Sequence, residues 1–418
     1  MLEARPAGNE RANGLLLALY ILLVAYASLY PLRGWTLPDD GFKALLEWPG
    51  SADISRADIC ANFLAYLPVG FLMTLRRLSA GHDSLREVGR AALAGLLLSL
   101  AMEALQYFLP ARSSSLLDVL VNLLGAAAGA LVCLWMHGNS RLVLRLCELR
   151  AQWCLPEPAA NAGLLALGVW MLAQLSPFVP WFDTRWIRRG LRGISLVIEH
   201  PGYLDPVIAL IHAGGIAGLG LLALTLARPG RRVVPLFAFA ATATLLLKIV
   251  VAGRTLSAEA LAGLVLGLAI VALPARLSAL PRPWLARLSA LAVGGAFVAS
   301  ELVPARGARH AFNWIPFAGQ IRSNIDGFAS ILGSLWPFIA LAYLACVLTP
   351  SRAWRQVRDA GAIVVAGLTA VLEGVQTLIP GRYGDITTVL LALAGWLGAW
   401  HCVLAAGMTV PSTRMPAR

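Results

Sequence analysis

Twelve stretches of this chain are apolar over roughly 17–25 residues, long enough for a helix to cross a hydrocarbon layer. They fall at about 14–30, 58–77, 88–109, 115–137, 160–178, 204–227, 232–252, 256–274, 284–304, 324–348, 358–379 and 385–410. Nothing else in the sequence narrows its folding options so far. Lipid offers a peptide N–H or C=O no partner, so a spanning segment must satisfy its own backbone, which a helix does. Composition agrees, since 58% of residues are hydrophobic and only 13% charged, about half the charge of a soluble domain. The expected fold class is all-α: a polytopic transmembrane helical bundle of about twelve spans.

Arg5 and Arg11 precede the first span, which ends in Ala25-Tyr26-Ala27, a small-x-small pattern like a signal-peptide cleavage site. The Tyr30-Pro31 that closes this span has counterparts later in the chain, so the span reads as retained. Short arginine-rich loops stay cytoplasmic. Arg76, Arg77, Arg86 and Arg90 mark one such loop, and Arg228, Arg231, Arg232 and Arg352, Arg355, Arg358 mark two others. Both termini then lie in the cytoplasm of a bacterial inner-membrane protein. One outer loop, with Arg185, Arg188, Arg189 and Arg192, runs against the rule.

The net charge of +12 therefore describes orientation and contact with anionic headgroups, and nucleic acid is not an expected partner. Only Trp181–Arg192 interleaves aromatics with arginines; it reads as a short interfacial helix, with a phosphate-binding rim as the other reading. The six cysteines show no CxxC and no regular spacing, so neither a disulfide frame nor a metal site is expected.

Two polar motifs interrupt the apolar pattern. Glu103-Ala-Leu-Gln106 leads to Pro110 and Arg112, and Glu373-Gly-Val-Gln376 leads to Pro380 and Arg382 with identical spacing. An acid and an amide three apart share one helix face, and ionisable groups inside a span are functional-site candidates by default. Aligning on the arginines gives three gapless segments, the middle one centred on Arg254. Arginine and a later glycine stand thirteen apart each time: Arg112/Gly125, Arg254/Gly267 and Arg382/Gly395. Tyr30-Pro31, Pro177-Phe178 and Pro316-Phe317 recur at or after the end of each segment's first span. Four spans per copy keep all copies in one orientation. The expectation is three parallel four-helix repeats, over 1–150, 151–280 and 281–418, the middle one degenerate.

The first segment resembles the VanZ-like family through Asp58-Ile-Cys-Ala-Asn62, Tyr66-Leu-Pro68-Val-Gly70, Glu103-x-x-Gln106, Arg112, Asp118, Asn122 and Gly125. The third is similar through Trp314-Ile-Pro316-Phe317, Glu373-x-x-Gln376, Arg382, Asp385 and Gly395. The resemblance implies a bacterial membrane protein acting on the cell envelope, in a family named for a protein associated with teicoplanin resistance. It supplies no established reaction. Family patterns usually carry aspartates three and six residues after the arginine. The first segment keeps only the later (Asp118), the third only the earlier (Asp385), and the second neither.

On the first segment's helices, Asp58, Asn62, Glu103, Gln106, Asp118 and Asn122 are expected to converge on an outer-leaflet pocket with Arg112 at its mouth. Glu373, Gln376, Arg382 and Asp385 would do the same in the third. A planar guanidinium suits phosphate or carboxylate, so the expected partner is a membrane lipid, with a lipid-linked glycan or peptidoglycan precursor as the specific candidate. The structural reading pairs Arg112 with Asp118 and Glu103 with Gln106 and Asn62, locking four helices together. Lys248 replaces the glutamine of the middle copy. It is expected to form an ion pair with a carboxylate of another unit or with Glu199, Asp205 or Glu259, the alternative being a snorkelling lysine. No HExxH, P-loop or GxSxG motif is present, and no cofactor is expected. The favoured function is binding or handling a polar or anionic envelope lipid, with a membrane-embedded enzyme or a transporter as alternatives.

Overall fold

The computed structural model describes residues 8–37, 56–79, 85–110, 115–138, 140–180, 182–277, 280–322 and 326–407. Among them the chain forms fifteen α-helices and no β-strand. Nine helices are long and apolar enough to cross a membrane, and three shorter apolar helices, Leu16–Leu29, Ala160–Leu175 and Ala258–Leu273, occupy three of the other expected positions. The protein is a multi-pass, all-helical membrane protein.

Two compact units divide the chain, Met1–Leu149 with Ile321–Ile325, and Arg150–Gln320 with Asp326–Arg418. The first contains α1 (Gly8–Leu29), α2 (Arg56–Ser79), α3 (Arg86–Gln106) and α4 (Leu116–Gly138). An amphipathic helix that the apolar pattern did not predict, α5 (Ser140–Trp153), follows. The most extensive packing in the first unit is α2 on α4, and glycine makes it possible. A Cβ on Gly129 would sit 1.9 Å from the Leu67 carbonyl oxygen, and one on Gly125 would sit 2.4 Å from that of Phe63. Small residues at such seams let helices approach closely where lipid supplies no hydrophobic drive for association.

The second unit holds α6 (Ala160–Leu175), α7 (Thr184–Glu199), α8 (Pro206–Leu226), α9 (Val233–Leu247) and α10 (Ala258–Leu277). It continues through α11 (Arg282–Leu302), α12 (Ala318–Arg322), α13 (Asp326–Leu348), α14 (Trp354–Gln376) and α15 (Ile386–Gly407). Glycine seams recur here. Gly263 and Gly267 of α10 lie against α8, Gly214 and Gly218 of α8 against α11, and Gly395 of α15 against Leu335 of α13. The expected second and third segments share one core, because Ala159, Ala166, Leu222 and Leu226 pack with Phe338, Tyr343, Trp396 and Trp400. At one end of this core Glu157 and Arg282 form a two-pronged pair, both N–O distances being 2.7 Å. The arginine also donates Nε to the Thr225 carbonyl.

The segment expected to be interfacial is helical from Thr184, where Asp183 accepts from the Arg185 N–H and caps α7. Trp181 lies outside the described residues. The residue after each recurrent proline adopts left-handed backbone: Leu32 at φ 59°, Phe178 at 64° and Phe317 at 59°.

Candidate functional site

Helices α2, α3 and α4 bring the first-segment polar residues together. Glu103, one turn from the end of α3 and only 4% exposed, accepts the Ser115 N–H at 2.8 Å. Asp118, on the first turn of α4, is a charged neighbour of Glu103. Asn62 donates to the Asp118 carboxylate, and Asp58 is its second acidic neighbour. Asn122, one turn further into α4, donates to Ser99 Oγ at 2.9 Å. Gln106 turns away from this group and donates to the Ser28 carbonyl of α1 at 2.8 Å. Arg112 lies outside the described residues.

Of the named side chains, Asp58, Asn62, Glu103 and Asp118 thus converge, with Asn122 beside them through Ser99 and Gln106 serving the α1–α3 contact. Two further residues belong to the group. Ser99 was not singled out, and Tyr66 was named only for the family resemblance, because neither carries charge and both fall mid-span. Tyr66 borders Ser99 and Glu103. Among the described residues Asn122 Oδ1 is buried with no hydrogen-bond partner, and the buried Tyr66 Oη has only the Ser99 hydroxyl within reach. Such atoms are uncommon in native structures and each calls for an explanation, a bound ligand or water among them. The chemistry on offer is acidic and amide-like: acceptors for hydroxyl and ammonium donors, plus the donor of Asn62.

The third-segment residues also meet, but their bonds run mostly to each other and to the backbone. Glu373, 2% exposed, accepts the Asp385 N–H at 2.7 Å, repeating the Glu103–Ser115 bond across the same twelve-residue separation. Asp385 Oδ1 accepts from the N–H and Oγ1 of Thr387, so this aspartate caps α15. Ser115 caps α4 in the same way through the Leu117 N–H, and Ser257 caps α10 through the Ala260 N–H. The position three residues after the arginine is therefore a helix cap in every segment. Ser, Asp and Asn are interchangeable there because each offers a side-chain oxygen to an orphan N–H. Its acid in the third segment was read from sequence as a site residue, and its bonding makes it first a structural one.

Arg382 does not stand free at a pocket mouth. Its Nε donates to the Val303 carbonyl at 2.9 Å, and Nη2 to that of Ser300. Arg254 likewise donates to the Ser176 carbonyl at 2.5 Å. Ser176 and Val303 are the C-caps of α6 and α11, where unsatisfied carbonyls and the negative end of the helix dipole favour a cation. Gln376 Nε2 donates to Glu301 Oε2 at 2.5 Å. Glu301 was missed in the sequence because it stands two residues before the Val303-Pro304 that ends its span. Its register, matching Ser28 opposite Gln106, was the available signal.

Lys248 departs from expectation in its partner. Its Nζ donates to the amide oxygen of Gln174 at 3.1 Å, and no ion pair of Lys248 occurs among the described residues. Asp205, one of the expected carboxylates, caps α8 instead, and Glu259 accepts the Asp205 N–H. Lys248, Gln174 and Glu301 all border one cavity of about 380 Å³ inside the second unit. Among the described residues no group of three His, Cys, Asp or Glu side chains is placed to hold a metal ion.

Comparison with known proteins gives one match. Residues 16–137 fit the VanZ/LLP1 family model, so the four helices carrying the first cluster form a VanZ-like domain, under a third of the chain. No curated protein and no solved structure matches the chain.

Proposed function

We propose that this VanZ-like membrane protein binds and handles the polar headgroup of an envelope lipid or lipid-linked glycan at the outer leaflet of the bacterial inner membrane. On this reading both termini are cytoplasmic, and the chain is three tandem VanZ-like four-helix segments over 1–150, 151–280 and 281–418. The repeated Glu–N–H bond, the three equivalent helix caps and the left-handed Leu32 and Phe178, each three residues past its helix, support the tandem reading.

One observation carries the function. Asn62, Glu103 and Asp118 meet from three helices inside an apolar bundle, beside Asn122 Oδ1, which is buried with no hydrogen-bond partner among the described residues. A cluster serving only to lock helices would satisfy its own atoms, because an unpaired polar group in lipid costs several kcal/mol. Carboxylates and amides that accept more than they donate suit the hydroxyls of a sugar or glycerol. The third cluster also leaves one buried oxygen, Asp385 Oδ2, without a hydrogen-bond partner among the described residues, but its remaining bonds cap α15 and run to backbone and neighbouring side chains, so it is assigned first to structure.

Mass spectrometry of lipid retained after gentle extraction tests the proposal. The parent should retain a hydroxyl-rich lipid that Asp118→Ala and Asn62→Ala lose while their thermal stability stays near parental. Equal retention by folded variants would remove the headgroup role. A second reading rests on the same pair: two neighbouring carboxylates, the buried Glu103 and the half-buried Asp118, have the form of an acid/base couple. It predicts turnover of the retained lipid, lost in Glu103→Gln without loss of binding.

A further inference from the structure

The cavity inside the second unit has the size of a ligand pocket, about 380 Å³ against a usual range of roughly 300–1,000 Å³. Its polar residues gather at helix ends. Gln174 is next to last in α6, Lys248 follows the last residue of α9, and Glu301 is next to last in α11. Ser330 and Ser334, one turn apart near the start of α13, present two hydroxyls on one face. His212 of α8 completes the polar wall.

The charges are arranged for something other than each other. Lys248 and Glu301 border the same cavity, yet no ion pair joins them. An ammonium has three donors, and Lys248 spends one on Gln174. Glu301 accepts from Gln376 through Oε2 and has the Arg382 guanidinium as a charged neighbour outside the cavity lining. Holding two opposite charges apart in a low-dielectric site is expensive unless each meets a partner. Pro337 has no N–H for the Gly333 carbonyl one turn back, and both residues line the cavity. Trp170, Trp336 and Phe297 line it too, and aromatic faces attract cations.

We propose that this cavity is a second binding site, selective for a zwitterion with a phosphate and an ammonium, the headgroup chemistry of an ethanolamine phospholipid. Lys248 and the hydroxyls of Ser330 and Ser334 hold the phosphate. Glu301, the Gly333 carbonyl and the tryptophan faces hold the ammonium. An anionic lipid such as phosphatidylglycerol satisfies Lys248 and leaves Glu301 facing like charge. The proposal is independent of the first-segment cluster, which shares none of these residues.

Native mass spectrometry of the full, delipidated chain, titrated with palmitoyl-oleoyl phosphatidylethanolamine or the matching phosphatidylglycerol, tests it. The parent should hold the ethanolamine lipid more tightly, by on the order of tenfold, the worth of one charge-assisted hydrogen bond. Lys248→Met should weaken ethanolamine-lipid binding by a similar factor, and Glu301→Gln should erase the preference between the two lipids. If Lys248→Met fails to fold, Ser334→Leu, which keeps both charges and fills the wall, should lower binding of the ethanolamine lipid instead. Competition by O-phosphoethanolamine assigns recognition to the headgroup alone, and binding that resists it assigns the intact lipid. Equal affinity for the two lipids in the parent overturns the proposal, as does parental affinity in folded Lys248→Met and Ser334→Leu proteins. Loss of hydroxyl-rich lipid in Asp118→Ala alone would concern the first cluster and leave this site standing.

Discussion

Replacing Gly129 by alanine should cost more stability than its size suggests. The added Cβ would stand 1.9 Å from the Leu67 carbonyl oxygen, 2.8 Å from its carbon and 2.9 Å from the Phe71 nitrogen. All three are backbone atoms of α2, so no side-chain rotation relieves the overlap. The helices must separate by about 1.5 Å to restore ordinary contact, and a gap of ~1 Å already forfeits up to half of a dispersion well. Overpacking of this kind costs about 1–3 kcal/mol, partly offset by the ~1 kcal/mol that alanine gains over glycine within a helix. We expect a net loss of about 1 kcal/mol. Gly294, inside α11, has open space where its Cβ would be, so Gly294→Ala should instead stabilise by up to about 1 kcal/mol. Reversible unfolding in mixed micelles, titrated with dodecyl sulfate, measures both. Should the two alanine variants unfold at the same point, close helix approach would not be what Gly129 provides.

Three further outcomes follow from the bonds described above. Asp385→Ala should destabilise by about 0.5–2 kcal/mol as a lost cap, while Asp385→Asn should remain near parental in the same unfolding titration. Arg382→Lys keeps the charge but cannot reach two carbonyls with a planar fork; a loss of about 1–2 kcal/mol is expected, and a parental unfolding curve would mean that charge alone holds the α11 terminus. For topology, a reporter fused after Arg90 should be active only if cytoplasmic, and one fused after Arg382 only if periplasmic; the reverse pattern would invert the proposed orientation.

Helix positions were legible because a span needs a long apolar run, and each of the twelve predicted runs overlaps an apolar helix. Length was less legible. The run over 160–178 stops being helical at Leu175, because Pro177 follows and the residue before a proline avoids helical backbone. Amphipathic α5 escaped notice because its leucines alternate with arginines and never form a run. Among the polar residues, sequence spacing identified Asn62, Glu103 and Asp118 as neighbours, since helical periodicity fixes the face on which each lies. It could not tell a capping aspartate from a binding one, because a carboxylate does either job with the same oxygens. Nor could it give Lys248 its partner. Gln174 lies 74 residues away on α6, and nothing in an uncharged amide advertises that it will meet a cation. The joining of α6, α8, α11, α13, α14 and α15 around one core was equally hidden, for apolar faces carry no address.

The shortness of α6 has a consequence for the surrounding bilayer. Sixteen helical residues rise only about 24 Å, some 6 Å less than a typical hydrocarbon core. Leu165 and Leu172 on this helix are 44% and 47% exposed, so lipid chains touch it. A spanning segment shorter than its membrane makes the bilayer dip toward it. Gln174 stands at the α6 end, beside Lys248, so the headgroup layer sinks toward the two residues that most need polar company. A phospholipid diffusing along that rim would already have its phosphate lowered to the depth of the lysine, and entry from the side would require little further descent.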